Sequence, residues 1–240
     1  MKRFLYYVYL AVFGIPTMFA VTFTSCVITI IGTAIFGDGW WSHVPPAIWA
    51  RLMCLLTLVR VEVRGRENID CRTSYVFVAN HQGAYDIFAI YGWLGHRFKW
   101  MMKKSLRRIF LVGYTCQKAG HIFVDRSNAA ALRRTIEKAE HTLKGGMSLM
   151  IFPEGARTFT GKVGPFKKGA YQLALEFGLP LVPITIDGAF KVLPRTARIP
   201  RPGKIVLTIH KPIEAPRSED DREAVMDRTR RAIESALPKS

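Results

Sequence analysis

The sequence predicts an α/β domain with a central, mostly parallel sheet flanked by helices, and ahead of it an apolar helical hairpin. Three observations lead there. A hydrophobic share of 49% coexists with a formal charge of +17 in 240 residues, a mixture uncommon in soluble basic proteins, which gain charge at the expense of apolar content. The two properties separate along the chain: no Lys, Arg, Asp or Glu occurs between Arg3 and Asp38, and nearly all the charge lies beyond. From Arg60 onward short β-branched runs alternate with helical spacing, the pattern of strand–helix–strand units. The length suits one well-buried domain with a short extension, which divides the chain into residues 1–40 and 41–240.

The extension comes first. As one helix, Phe4 to Phe36 would reach about 50 Å, well past the roughly 30 Å hydrocarbon core of a bilayer. Gly14 and Pro16 offer a break, because proline removes a backbone donor and disfavours helix in the residue before it. The remaining piece, Thr17 to Phe36, is long enough to span. A lone span would set Lys2 and Arg3 opposite the basic domain, against the positive-inside tendency, whereas a hairpin that enters and returns keeps both ends together. Trp40, Trp41 and Trp49 follow, and indole rings favour the headgroup layer. A secretory signal peptide shares the basic start, but the apolar core is too long for one and no cleavage site is evident. The expected partner is a phospholipid bilayer, and the expected location the cytoplasmic face of the inner membrane.

Beyond the extension, strands are predicted at Val61 to Arg64, Tyr75 to Ala79, His121 to Val124, Ser148 to Phe152, Leu181 to Ile186 and Ile205 to His210. Helical spacing marks Ala84 to Leu94, Asn128 to Leu143, Lys167 to Phe177 and Asp220 to Leu237. The Pro- and Arg-containing stretch from Leu193 to Gly203 reads as a surface loop. Cys26, Cys54, Cys71 and Cys116 are scattered, which fits reduced packing residues better than a metal or redox motif. The six histidines show no ligand spacing either, so no metal is expected.

Two segments carry chemistry. Val76 to Asp86 runs from an apolar strand through a turn into a helix, placing His81 at the strand's carboxyl end, where ligands of open α/β sheets usually bind. A spacing of five does not stack two residues on one helical face, so His81 belongs on the turn and Asp86 reaches back from the first helical turn. The carboxylate can then hold one ring nitrogen protonated, orient the imidazole and stabilise the imidazolium that forms when the other nitrogen takes a proton. No Gly-x-Ser-x-Gly and no cysteine stands beside this pair. The nucleophile is then the substrate's own alcohol, attacking a thioester directly, which makes acyl transfer the natural reaction. The second segment, Ile151 to Thr158, also follows an apolar strand. There Arg157 can grip a phosphate with two prongs, and Glu154 can fix that Arg or hold a glycerol hydroxyl. Lys103, Lys104, Arg107 and Arg108 form a basic cluster of the kind that is solvated or meets lipid headgroups.

These residues resemble the motifs of the PlsC-like acyltransferase superfamily, in particular the 1-acyl-sn-glycerol-3-phosphate acyltransferases. His81 and Asp86 stand at its HxxxxD motif, within Asn80-His-Gln-Gly-Ala-Tyr-Asp86. Lys103 and Lys104, through Gly113 and Gly120 to Val124-Asp-Arg126, resemble its second block. Phe152-Pro-Glu-Gly-Ala-Arg157 resembles the third, FPEGTR, and Val182-Pro-Ile184 the fourth. The order holds from about Arg60 to His210. The resemblance implies a catalytic pair, His81 and Asp86, and an acceptor-binding set of Lys104, Arg126, Glu154, Gly155 and Arg157. It also implies an α/β domain with a hydrophobic acyl groove. Phe110 stands where proline is common and Ala156 replaces the usual threonine, departures that bear on the acceptor rather than on the chemistry.

The reaction so implied moves an acyl group from acyl-CoA or acyl carrier protein to the 2-hydroxyl of lysophosphatidic acid, giving phosphatidic acid, with no cofactor beyond the donor. Another lysophospholipid, a lyso-aminolipid or glycerol 3-phosphate is the alternative acceptor. Nucleic-acid binding, which the charge alone would suggest, lacks any motif, and the aromatics lie largely in the apolar segment and the strands.

Overall fold

Alternation between two buried faces organises the sheet of the computed structural model, which describes residues 2–125, 129–144 and 146–238. The strands are β1 (Val59–Arg64), β2 (Val76–Ala79), β3 (Phe98–Lys103), β4 (Ile122–Val124), β5 (Ser148–Ile151), β6 (Leu181–Asp187) and β7 (Gly203–Ile209). Their spatial order is β1-β7-β6-β2-β5-β3-β4. The five from β6 to β4 are mutually parallel, while β7 runs antiparallel to β6 and parallel to β1. In β2, Phe77 and Ala79 pack against α3 (Trp40–Leu56) and α4 (Tyr85–Trp93), whereas Val76 and Val78 face α7 (Gly169–Phe177) and α9 (Asp221–Ser235). A strand covered on both faces is apolar throughout rather than alternating, which is why Val76–Ala79 reads as one continuous run. Phe77 is fully buried, so truncation to Ala would remove about 3–5 kcal/mol of stability.

The sheet matches the expected class and adds a strand. β3 reads Phe-Lys-Trp-Met-Met-Lys: its Phe and Trp favour strands, but it lacks the β-branched residues that mark the other strands. Tertiary pairing with β5 and β4 supplies what propensity does not.

The apolar segment departs from expectation in where it turns. The helix does not break at Gly14 and Pro16. It runs on from α1 (Lys2–Tyr9) through a π-helical turn at Leu10–Gly14, where the Ile15 N–H reaches Leu10 O, into α2 (Ile15–Phe36). Widening the turn just ahead of Pro16 moves away the carbonyl that its ring would strike, so the helix survives. The return comes later, at Gly37 and Gly39, whose φ values of 78° and 115° suit glycine alone. α3 then packs back along α2. A Cβ on Gly32 would lie 2.3 Å from the Trp41 ring, so this glycine is what lets the two helices close. Trp49 donates its indole N–H to Thr22 Oγ1 at 3.0 Å. Trp41 and Trp49 thus hold α2 to α3, and Trp40 is the one of the three that stays exposed.

Both ends of the long helix are fastened to the domain. Tyr6 donates its hydroxyl to Pro200 O at 3.1 Å. At the other end Asp38 accepts from the buried ammonium of Lys99, in β3, at 2.6 Å. Phe4, Val8, Val12, Ile15, Phe19 and Phe23 are exposed at helical spacing, an apolar stripe along the outer side of the helix.

Candidate active site

The parallel order β6-β2-β5-β3-β4 brings the motif-bearing loops to one edge. His81 follows β2, Phe152 to Arg157 follow β5, Lys104 follows β3 and Asp125 follows β4, all at strand carboxyl ends. The edge is built from the strand ends outward. Asn80 ends β2 by acting as a further rung toward β6: its side chain donates to Ile186 O at 2.9 Å and accepts from Ile186 N–H at 2.8 Å. With Asn80 locked in this way, the next residue must turn off the sheet.

That residue is His81. Its Nδ1 lies 2.7 Å from Asp86 Oδ2, and the same carboxylate oxygen accepts the Gly83 N–H at 2.8 Å. A Cβ on Gly83 would meet the Ala189 and Leu193 carbonyls at 2.8 and 2.7 Å, so only glycine allows the turn to sit here. Asp86, in the first turn of α4, is fully buried. Burial pushes its carboxyl above the ordinary value, while the His81 ring and the N–H groups of Gly83 and Gln82 pull it back. Facing a carboxylate, Nδ1 carries the proton, which leaves the lone pair on Nε2. Nε2 has no hydrogen-bond partner among the described residues, and the side chain retains 14% exposure, enough to be reached from the edge. Phe152 stacks on the imidazole with ring centroids 3.9 Å apart and planes 4° from parallel, and Trp100 stacks on Phe152 in turn. The ring is held by hydrogen bond on one edge and by stacking on one face.

Glu154 occupies an unexpected place. Its Oε1 accepts the backbone N–H of His81 and its Oε2 that of Gly164, both at 2.8 Å. The Thr158 N–H donates to His81 O at 2.9 Å. Glu154 thus ties the histidine turn to the loop after β5 and makes no ion pair with Arg157. Burial raises its carboxyl, and the two N–H groups lower it again. Gly155 takes φ +72°, and a Cβ there would press on Lys167 Nζ at 2.8 Å.

The expected acceptor-binding cations are spread out. The Arg157 guanidinium is half-buried and makes no hydrogen bond or ion pair among the described residues. Its backbone carbonyl faces Arg195 Nη1 at 3.5 Å, and the Arg195 guanidinium lies 4.2 Å from the Phe159 ring centroid. Lys104 pairs with Asp125 at 2.5 Å. Its strand lies two places from β2, roughly 10 Å away, and nothing links it directly to His81. Arg126 lies outside the described residues. No group of His, Cys, Asp and Glu able to hold a metal occurs among the described residues.

Sequence reasoning set Asp86 against His81 and placed Glu154 and Arg157 near it; the structure bonds Asp86 and Glu154 to His81 and gives the Arg157 guanidinium no bond to them. That reasoning gave no role to Asn80 or Phe152, although both stood within the quoted motifs. An Asn ending an all-apolar strand, and an aromatic ending the neighbouring one, were the available signals.

A mostly parallel sheet presenting an oriented histidine at its carboxyl edge sets that side chain where ligands of open α/β sheets bind. The chain belongs to the acyltransferase family, whose model (Acyltransferase) matches residues 60–187, more than half of its length. Its relatives include a chloroplastic 1-acyl-sn-glycerol-3-phosphate acyltransferase of Brassica napus, 32% identical over 71% of this chain and 50% of that one. The Saccharomyces cerevisiae 1-acyl-sn-glycerol-3-phosphate acyltransferase is 28% identical over 92% of this chain and 73% of that one. The chain thus spans about half the length of the plastid relatives it matches. The crystal structure of the 1-acyl-sn-glycerophosphate (LPA) acyltransferase PlsC from Thermotoga maritima superimposes with a TM-score of 0.72. It is 27% identical, with 98% of this chain and 96% of that one covered.

Proposed function

We propose that the chain transfers a fatty acyl group from acyl-CoA or acyl carrier protein to the 2-hydroxyl of lysophosphatidic acid, giving phosphatidic acid. The observation that carries this reading is the His81–Asp86 pair, with Nε2 unpartnered at the sheet edge and no serine or cysteine bonded to it among the described residues. Nε2 takes the proton of the acceptor hydroxyl as its oxygen attacks the thioester carbonyl. The tetrahedral intermediate collapses with cleavage of the C–S bond, and the imidazolium returns its proton to the departing thiolate. Asp86 stabilises that imidazolium and fixes the tautomer. Arg157, without an ion partner among the described residues, suits the acceptor's phosphate, and the names of the relatives support a phosphomonoester acceptor.

The enzyme works attached to a membrane. A helix long and apolar enough to cross a bilayer runs from Phe4 to Phe36. It is pinned near both ends, through Tyr6 and Asp38, to the same domain. A helix so fastened lies along the domain with its apolar stripe toward lipid, which supports attachment to one face. The four unpaired cysteines support the cytoplasmic side.

The test offers one labelled acyl-CoA, and in parallel the matching acyl carrier protein, to the full chain in vesicles with a panel of acceptors. Lysophosphatidic acid should be acylated fastest. Preference for a lysolipid without a phosphomonoester, or for glycerol 3-phosphate, would overturn the acceptor assignment and leave the His81 chemistry standing.

A further inference from the structure

The segment between β3 and α5 (Val112–Lys118) is basic and apolar together, and the site described above uses little of it. No acidic residue occurs from Arg97 to Val124, against seven Lys and Arg. Lys99 is engaged by Asp38 and Lys104 by Asp125. Lys103, Arg107, Arg108 and Lys118 have no ion pair among the described residues. Between these cations stand Leu106, Ile109, Phe110 and Tyr114, all exposed, with Phe110 at 91% the most exposed large apolar side chain among the described residues.

The backbone holds this presentation in place. Leu111 adopts φ +59° and ψ −52°, a γ-turn closed by the Val112 N–H on Phe110 O at 2.6 Å, which is a strained conformation for a residue with a Cβ. Gly113 packs under the turn so closely that a Cβ would lie 2.3 Å from Arg107 O. An ordered, strained turn that points phenylalanine into solvent gains nothing in water. α5 packs against α2, so the turn sits beside the helix that carries the outer apolar stripe. It also leaves the carboxyl end of β3, the same sheet edge from which the His81 turn emerges.

We propose that this turn is a second membrane contact, in which Phe110 enters the lipid and Lys103, Arg107, Arg108 and Lys118 meet anionic headgroups. The proposal rests on the membrane attachment inferred above and extends it from the helix to the active-site edge. Two contacts on different elements fix the rotation of the domain about the helix. The carboxyl edge of the sheet then faces the bilayer, and a lysolipid can reach His81 without leaving the interface. Continuity with the α2 stripe and a phenylalanine exposed almost completely favour a bilayer over an acidic protein as the occupant.

The test uses the full chain with Cys71→Ser and Cys116→Ser, carrying an environment-sensitive dye on Phe110→Cys or, separately, on Phe19→Cys in α2. Vesicles are phosphatidylcholine alone or in equal parts with phosphatidylglycerol. On the mixed vesicles both dyes should shift to shorter wavelength and resist iodide quenching, and position 110 should be less protected on phosphatidylcholine alone. Protection at 19 with free quenching at 110 would overturn the second contact and leave the anchor intact. Quenching at both would overturn the attachment itself. Charge reversal in the unlabelled chain, Arg107→Glu with Arg108→Glu, should weaken partition into the mixed vesicles by about fivefold or more per charge. Unchanged partition, with loss of acylation from acyl carrier protein only, would assign the patch to that acidic donor instead.

Discussion

The turn that carries His81 and the loop that carries Arg157 leave neighbouring strands and are bonded to each other, yet the His81 ring is held in place while the Arg157 guanidinium is left open. Asp86, Glu154 and Thr158 bond the His81 ring or backbone, and Phe152 covers the ring. Arg157, by contrast, has a guanidinium with no partner among the described residues, and its neighbour Phe159 is exposed beneath Arg195. The difference fits the roles proposed for the two side chains. Proton transfer depends on placement to within a fraction of an ångström and loses steeply with misalignment. Recognition of a phosphate depends on charge and a fork of donors, which can close around the ligand as it arrives.

The largest effect should come from the tied side. His81→Ala should lower turnover by roughly 10²- to 10⁴-fold with little change in the Michaelis constant, measured on membrane-bound protein whose folding is checked by thermal unfolding. Near-normal turnover would remove the base from the mechanism. Glu154→Gln sharpens the contrast, because the amide can accept from only one of the two N–H groups and sets its own NH₂ against the other. Turnover should fall by about tenfold to a hundredfold with the acceptor constant nearly unchanged. A selective rise in the acceptor constant would instead make Glu154 a ligand for the glycerol hydroxyl.

On the open side, Arg157→Lys keeps the charge and loses the fork. It should raise the constant for a phosphomonoester acceptor by about tenfold and leave that for the acyl donor alone. Selective weakening of the donor would move this loop to the thioester side of the site. The smallest effect lies away from both regions. His43 is held at about 4 by burial, aided by the nearby Lys99 and Arg97 charges. The unfolded chain binds a proton there from about pH 6.5 downward, so the native state loses stability as pH falls through that window. His43→Phe removes this loss, and its melting temperature should decline less than the parent's between those limits. The difference between the two chains is the readout, because the raised carboxyls of Asp86 and Glu154 change stability with pH in the opposite sense.

The sequence made the active-site edge far more legible than the helical layer. A motif residue is fixed by chemistry and by the strand it ends, so His81, Asp86 and the loop after β5 could be placed from spacing alone. Gly14 and Pro16 looked like a hinge because proline opposes helix locally. Whether a π-turn absorbs the conflict depends on what the helix packs against, which local sequence does not encode. β3 was missed for a related reason: Trp favours strands, but Lys-Trp-Met-Met offers no β-branched run, and pairing with β5 and β4 supplies what the local sequence lacks. The true turn at Gly37 to Gly39 did carry a signal, two glycines around an aspartate, but the apolar run ahead of it drew attention to the earlier pair.

The Asp38–Lys99 contact makes the apolar helix a structural beam rather than a detachable leash. Lys99 is 4% exposed, and its ammonium also reaches Ser42 Oγ and Ala119 O. Removing residues 1–39 to obtain a water-soluble form would strip the counter-charge from a buried ammonium, at a cost on the order of 3 kcal/mol. It would also bare the side of α3 that now packs against α2. The soluble fragment that such trimming aims for is therefore a weakened protein. Solubilisation is better sought by recolouring the outer stripe, at Phe4, Val8, Phe19 and Phe23, while the beam stays in place.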